Sequence, residues 1–184
     1  MRAAVLLLAV TGCLASPAEG GADGAAPLTC ADNLVENGSF EEQGTAGWVV
    51  SFGTAEIVQE GFDGAQAVQV CHDGEAGDPF FSFDDMPGAV PEPAMGEMYE
   101  LEASVRALDL APNTMEVVVR EWDVDGNARP VGTSLSPSAA WSRVTASLTV
   151  QSDQAQLVDV YVASADVTPG VCFQLDAICL RRIE

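Results

Sequence analysis

From residue 30 to the C-terminus, apolar and polar side chains alternate in short runs, and no window carries a convincing period of 3.6. Successive side chains of an extended chain point to opposite faces, so this pattern predicts strands with one buried side. Strands are expected over residues 33–40, 48–57, 67–72, 80–84, 99–108, 115–122, 143–150, 157–163 and 171–180. Turn residues fall between them: Gly61-Phe62-Asp63-Gly64, Pro87-Gly88, Ala111-Pro112-Asn113, Asp125-Gly126-Asn127 and Pro169-Gly170. Strands in this number without intervening helices predict an all-β fold, an antiparallel β-sandwich or jelly roll of about 8–9 strands.

Alternation also assigns faces. Tyr99, Leu101, Ala103 and Val105 share one side, as do Met115, Val117 and Val119, then Val158, Val160 and Val162, and Phe81 with Phe83. These sets should meet between two stacked sheets. Two aromatics break the rule, because Trp122 and Tyr161 fall on the polar sides of their strands. Such a ring is either covered by a loop or open to a ligand.

The N-terminus reads differently. Met1-Arg2 is followed by an unbroken apolar run over residues 3–10. A membrane span needs about 20 apolar residues, so this run suits the core of a signal peptide instead. It ends in Val10-Thr11-Gly12-Cys13, which resembles a bacterial lipobox. The resemblance implies cleavage before Cys13 and a thioether-linked diacylglycerol on its sulfur. The rival is a plain secretory signal cut near Ala15. Residues 1–12 are thus expected to be a lipoprotein signal peptide. Residues 13–29, rich in Gly, Ala and Pro, form a flexible tether, and residues 30–184 form one domain. Residue 14 is Leu and not Asp, which points to the outer membrane or cell surface. Two or more acyl chains give a stable membrane anchor.

Five cysteines are an odd number for an exported chain. Lipid on Cys13 leaves Cys30, Cys71, Cys172 and Cys179, enough for two disulfides in any of three connectivities. Zinc is the rival, but C-x-x-C spacing is absent and His72 is the only histidine. The formal charge of −21, from 28 acids against 7 bases, excludes nucleic acid and disfavours anionic polymers. It is compatible with calcium, and equally with plain solubility.

In order, the segments spell Asn33-Leu34-Val35-Glu36-Asn37-Gly38-Ser39-Phe40-Glu41, Gly47-Trp48, Gly64-Ala65-Gln66-Ala67-Val68-Gln69-Val70, Gly96-Glu97-Met98-Tyr99, Trp141-Ser142-Arg143-Val144 and Phe173-Gln174-Leu175-Asp176-Ala177. This series resembles carbohydrate-binding modules of families 4 and 9, which have a galactose-binding-like jelly roll. The resemblance implies a structural calcium where the first and last strands meet, at Ser39, Glu41 and Asp176. Ordinary surface acids are the alternative, and Ala177 stands where the family often has a second acid. It implies a sugar cleft on one sheet, where rings stack on pyranose faces. The outward candidates are Phe80, Arg120, Trp122, Arg143 and Tyr161. A surface with salt bridges, such as Arg120 to Glu116 or Asp159, is the equal alternative. Trp48 and Trp141 occupy framework positions and are expected in the core. In such a jelly roll the strands of Cys71 and Cys172 can be neighbours, so Cys71–Cys172 and Cys30–Cys179 are the first choice of pairing.

No nucleophile elbow, zinc-hydrolase motif or phosphate-cradling loop occurs, and no catalytic domain is expected. A pair of carboxylates for glycoside hydrolysis is never excluded in so acidic a chain. The expected function is therefore non-catalytic binding of a polysaccharide or glycan by a lipid-anchored envelope protein. The alternative is a structural or adhesion protein that binds another protein with a degenerate cleft, and a small glycoside hydrolase comes last.

Overall fold

The computed structural model describes residue 30 and residues 32–74, 80–108, 111–166 and 168–183. The lipobox with Cys13 and the tether of residues 14–29 lie outside the described residues. Within the described residues the chain forms eleven strands: β1 Trp48–Ser51, β2 Gly53–Gln59, β3 Gln66–His72, β4 Phe81–Asp85, β5 Val90–Pro91, β6 Met98–Arg106, β7 Met115–Asp123, β8 Ala128–Leu135, β9 Ser142–Thr149, β10 Ala155–Ser164 and β11 Cys172–Ile183. They build two antiparallel sheets. The first runs β1-β4-β10-β7-β8, with β5 beside β10, and the second runs β2-β3-β11-β6-β9. The expected all-β sandwich is what forms, with more strands than expected.

The apolar faces meet as the alternation requires. Tyr99, Leu101, Ala103 and Val105 of β6 are buried together with Met115, Val117 and Val119 of β7, the three valines of β10, and Phe81 and Phe83 of β4. Trp48 is in this core and stacks on Phe83 at 4.9 Å between ring centroids. Both expected disulfides form. Cys71 pairs with Cys172 across β3 and β11, and Cys30 pairs with Cys179 across 149 residues of sequence.

Four expectations need correction. Residues 33–40 are turns and not a strand, because Asn37 and Phe40 sit at φ of 55° and 58°, a left-handed conformation that ladders exclude. The segment still lies along β11. The Asn33 side chain donates to the Ile178 carbonyl at 2.8 Å and accepts the Leu180 N–H at 2.9 Å, imitating a strand partner. Gly38 is required there: a Cβ would stand 2.1 Å from the Ile178 oxygen. Residues 48–57 are two strands in different sheets, split at Phe52 with φ of 56°. The strand β8 was not expected from its sequence. It is an exposed edge strand with no buried face to impose alternation, and it carries Pro130 and Gly132. Edges tolerate proline, and Gly132 lets the Val118 side chain approach within 2.8 Å of where a Cβ would be. Finally, Trp141 is half-buried on the outer side of the second sheet, not in the core.

Candidate functional site

The outer face of the first sheet is built in rows that cross the strands. Ser51, Ser82, Ala163 and Glu116 stand in register on β1, β4, β10 and β7. The next row is Val49, Asp84, Tyr161 and Val118, and the one after it carries Asp159 beside Arg120. A row of mostly small residues next to a row with a large ring leaves a trough. It is an open groove of about 400 Å³, lined by Phe80, Tyr161, Arg120, Ser51, Ser82 and Glu116 among others. A more open hollow of about 550 Å³ continues from it, sharing Thr114 and Ala165.

Arg120 forms the wall at the Tyr161 end. Its guanidinium lies 4.5 Å from the Tyr161 ring centre and 4.6 Å from that of Trp122, so it is held between two aromatic faces. It donates twice to Asp159, Nε to Oδ1 at 2.9 Å and Nη2 to Oδ2 at 2.6 Å. The Trp122 indole N–H donates to the same Asp159 Oδ2 at 2.9 Å. Paired carboxylate and stacked rings fix the guanidinium plane, as planar bidentate geometry favours. Asp84 lies 3.6 Å from Arg120 and accepts the Ser82 hydroxyl at 2.5 Å. Burial pushes the Asp84 carboxyl above its ordinary range, with Ser82 and Arg120 opposing. Behind it the inward-facing Asp85 is pushed up to about 7 by burial, against the N–H it accepts from Val160. Burial also raises the Tyr161 phenol, which therefore keeps its proton at neutral pH and can donate.

Of the five outward candidates, the structure brings Phe80, Arg120 and Tyr161 to the groove. Trp122 stands one row further out and braces Arg120 from behind, apart from the groove lining. Arg143 lies elsewhere: it is on β9, in the second sheet, where it approaches the Phe62 ring at 5.3 Å and Glu102 at 3.5 Å. Sequence reasoning named Glu116 only as a salt-bridge partner and did not bring Ser51, Ser82, Ala163 and Glu116 into one row, because register across strands leaves no trace in the period of any one strand.

A second cation–aromatic cluster covers the outer face of the second sheet. Arg106 lies 4.6 Å from the Trp141 ring centre, and Trp141 meets Phe62 edge-on at 6.0 Å. Arg106 donates to Gln174 Oε1 at 2.7 Å and to Glu60 at 3.0 Å.

The structure places Glu41 and Asp176 around one loop. The fully buried Asp176 accepts the N–H groups of Phe62 (2.6 Å) and Asp63 (2.8 Å) on Oδ2 and of Ala177 (2.6 Å) on Oδ1. Glu41 Oε1 accepts the Gln66 N–H at 2.8 Å. Burial pushes Asp176 up to about 6; the amide donors oppose this, and the neighbouring Glu41 charge adds to it. Gly64 permits the approach, since a Cβ there would stand 2.3 Å from Glu41 Oε1. Ser39 lines the adjoining hollow with Asp63. Among the described residues no trio of His, Cys, Asp and Glu side chains is placed to hold a metal, so a cation here would need backbone oxygens as well. Both Asp176 oxygens and Glu41 Oε1 already accept backbone N–H groups, so a cation here would share these carboxylates with their amide donors.

No protein-family model and no curated protein matches the chain. Solved structures do. The CBM22-1 xylan-binding domain of Paenibacillus barcinonensis Xyn10C is 20% identical with a TM-score of 0.65, over 83% of this chain and 96% of that one. A family 16 carbohydrate-binding module is 17% identical with a TM-score of 0.62, over 81% and 99%. TmCBM61, solved with β-1,4-galactotriose, is 19% identical with a TM-score of 0.56, over 82% and 99%. The chain therefore has the β-sandwich fold found in these carbohydrate-binding modules.

Proposed function

We propose that the groove on the first sheet binds a neutral polysaccharide without cleaving it. The observation that carries this reading is the open trough floored by Ser51, Ser82 and Ala163, with the Phe80 and Tyr161 rings on its lining. A pyranose ring has an apolar C–H face that an aromatic ring removes from water, and serine hydroxyls and carboxylates satisfy its hydroxyls. Asp84 and Glu116 in the lining disfavour uronic acids. The similar modules are described as binding xylan and β-1,4-galactotriose, which sets the panel to test. Isothermal titration of the protein with xylan, β-1,4-galactan and soluble cellulose derivatives should give saturable heat with at least one of them. No binding across the panel, or release of reducing sugar, would refute the reading.

The same proposal includes the export and anchoring read from the lipobox: diacylglycerol on Cys13 holds the module at the envelope surface. Mass spectrometry of the mature N-terminus checks this, with Cys13→Ser expected to release the protein from membranes. It also includes calcium beside Glu41 and Asp176, supported by two neighbouring carboxylates without a described cationic partner. Saturating calcium at about a hundred times its dissociation constant should stabilise the fold by about 2.7 kcal/mol. Thermal unfolding with and without chelator reads this, and Asp176→Asn should abolish the difference.

A further inference from the structure

The corner where the chain passes from the first sheet to the second holds an aromatic in a conformation that aromatics avoid. Phe52, between β1 and β2, has φ of 56°, and for a bulky side chain that is a true outlier. Glycine or asparagine is the ordinary occupant of such a position. The corner is also fixed in place: a Cβ on the next residue, Gly53, would stand 2.4 Å from the Cys71 oxygen. Core packing does not account for the choice of residue, because Phe52 is 44% exposed. Its ring meets Phe80 edge-on at 5.4 Å, and Phe80, itself 38% exposed, lines the groove beside Ser51. A strained backbone thus holds an exposed ring at the β1 end of the trough. Backbone strain of this kind clusters at ligand clamps and other functional sites.

We propose that Phe52 extends the stacking surface past Phe80, adding a station for the glycan beyond the rim of the groove at β1. The protein then engages an extended stretch of polymer and gains affinity with oligosaccharide length. This rests on the groove being a glycan site, which the test separates from the new claim. Two rings at right angles offer an apolar corner, one face for a pyranose and one edge for the next sugar, continuous with the row Ser51, Ser82 and Ala163.

The experiment is isothermal titration of the full protein and of Phe52→Asn with xylo-, cello- and β-1,4-galacto-oligosaccharides, each as trisaccharide and hexasaccharide. Asparagine tolerates the left-handed backbone, so the variant keeps the corner and loses only the ring. The expected result is that hexasaccharide affinity falls about tenfold while trisaccharide affinity stays within about twofold, as loss of one stacked ring implies. The thermal midpoint should hold or rise. Equal losses at both lengths, or no loss at either, overturn the proposal. So does a lowered midpoint, which would make Phe52 a structural residue, or a change in sedimentation, which would make the ring pair a contact between copies. If the unaltered protein binds no oligosaccharide or polysaccharide, the groove reading fails and takes this with it. Binding that ignores Phe52→Asn removes this inference alone.

Discussion

The two sheets each carry an arginine among aromatic rings on the outer face, and they use it differently. On the first sheet, Arg120 is locked between Trp122 and Tyr161 by Asp159, and open space remains beside it. On the second, Arg106 lies on Trp141, which meets Phe62 edge-on, with Phe62 supplied by the loop between β2 and β3. The ingredients match, and the surroundings decide the outcome. A loop held down by the buried Asp176 covers one cluster, while a row of small side chains undercuts the other. Cation–aromatic stacking by itself therefore does not make a groove; the neighbouring row must also be of mostly small side chains.

This contrast can be broken experimentally. The largest effect should be in pH dependence, and it belongs to the first sheet. Asp85 keeps its proton to about pH 7 when folded, against about 3.9 for an ordinary aspartate in an unfolded chain. The native state therefore binds the extra proton between those values, and stability falls as pH rises from about 4 to about 7. Asp85→Asn should retain the bond from Val160, flatten that slope and stabilise the protein at neutral pH by up to about 4 kcal/mol. Chemical denaturation across pH reads it, and an unchanged slope would mean that Asp85 ionises freely.

The ion pairs come next. Asp159 is nearly buried and carries both Arg120 and the Trp122 indole, so Asp159→Ala should destabilise by about 3 kcal/mol. Glu60 meets Arg106 from an exposed position, and Glu60→Ala should cost under about 0.5 kcal/mol. Similar values for the two would erase the distinction between the clusters. Below the Asp159 effect in size, Tyr161→Ala should weaken glycan binding by about 2 kcal/mol, roughly thirtyfold. Trp141→Ala should instead lower the thermal midpoint, by about 2 kcal/mol of stability, and leave affinity unchanged. Titration and thermal melts on both variants decide it; an affinity loss at Trp141 would place a second site on the covered sheet.

How much of this was legible in the chain follows from what period two encodes. It tells in from out along one strand, so the core set and the outward Tyr161, Arg120 and Phe80 could be read directly. It does not say which sheet a strand joins, and Arg143 was grouped with the wrong face for that reason. Nor does it reveal backbone twists hidden under alternating residues. Residues 48–57 look continuous because Phe52 is an ordinary strand former in composition, and only its φ separates β1 from β2. The edge strand β8 had no burial to write a pattern at all. Asp176 was singled out by resemblance, while its burial and its three amide donors came only from the fold.

The Cys30–Cys179 bridge has a mechanical consequence. Tension transmitted through the residues before Cys30 enters β11 through a covalent bond, and β11 lies at the middle of its sheet, stapled again to β3 by Cys71 and Cys172. A pull from that side would bypass the intervening polypeptide and leave the opposite sheet, with its groove, outside the line of force. Force applied at the N-terminal side is thus carried by the sheet that does not bear the groove.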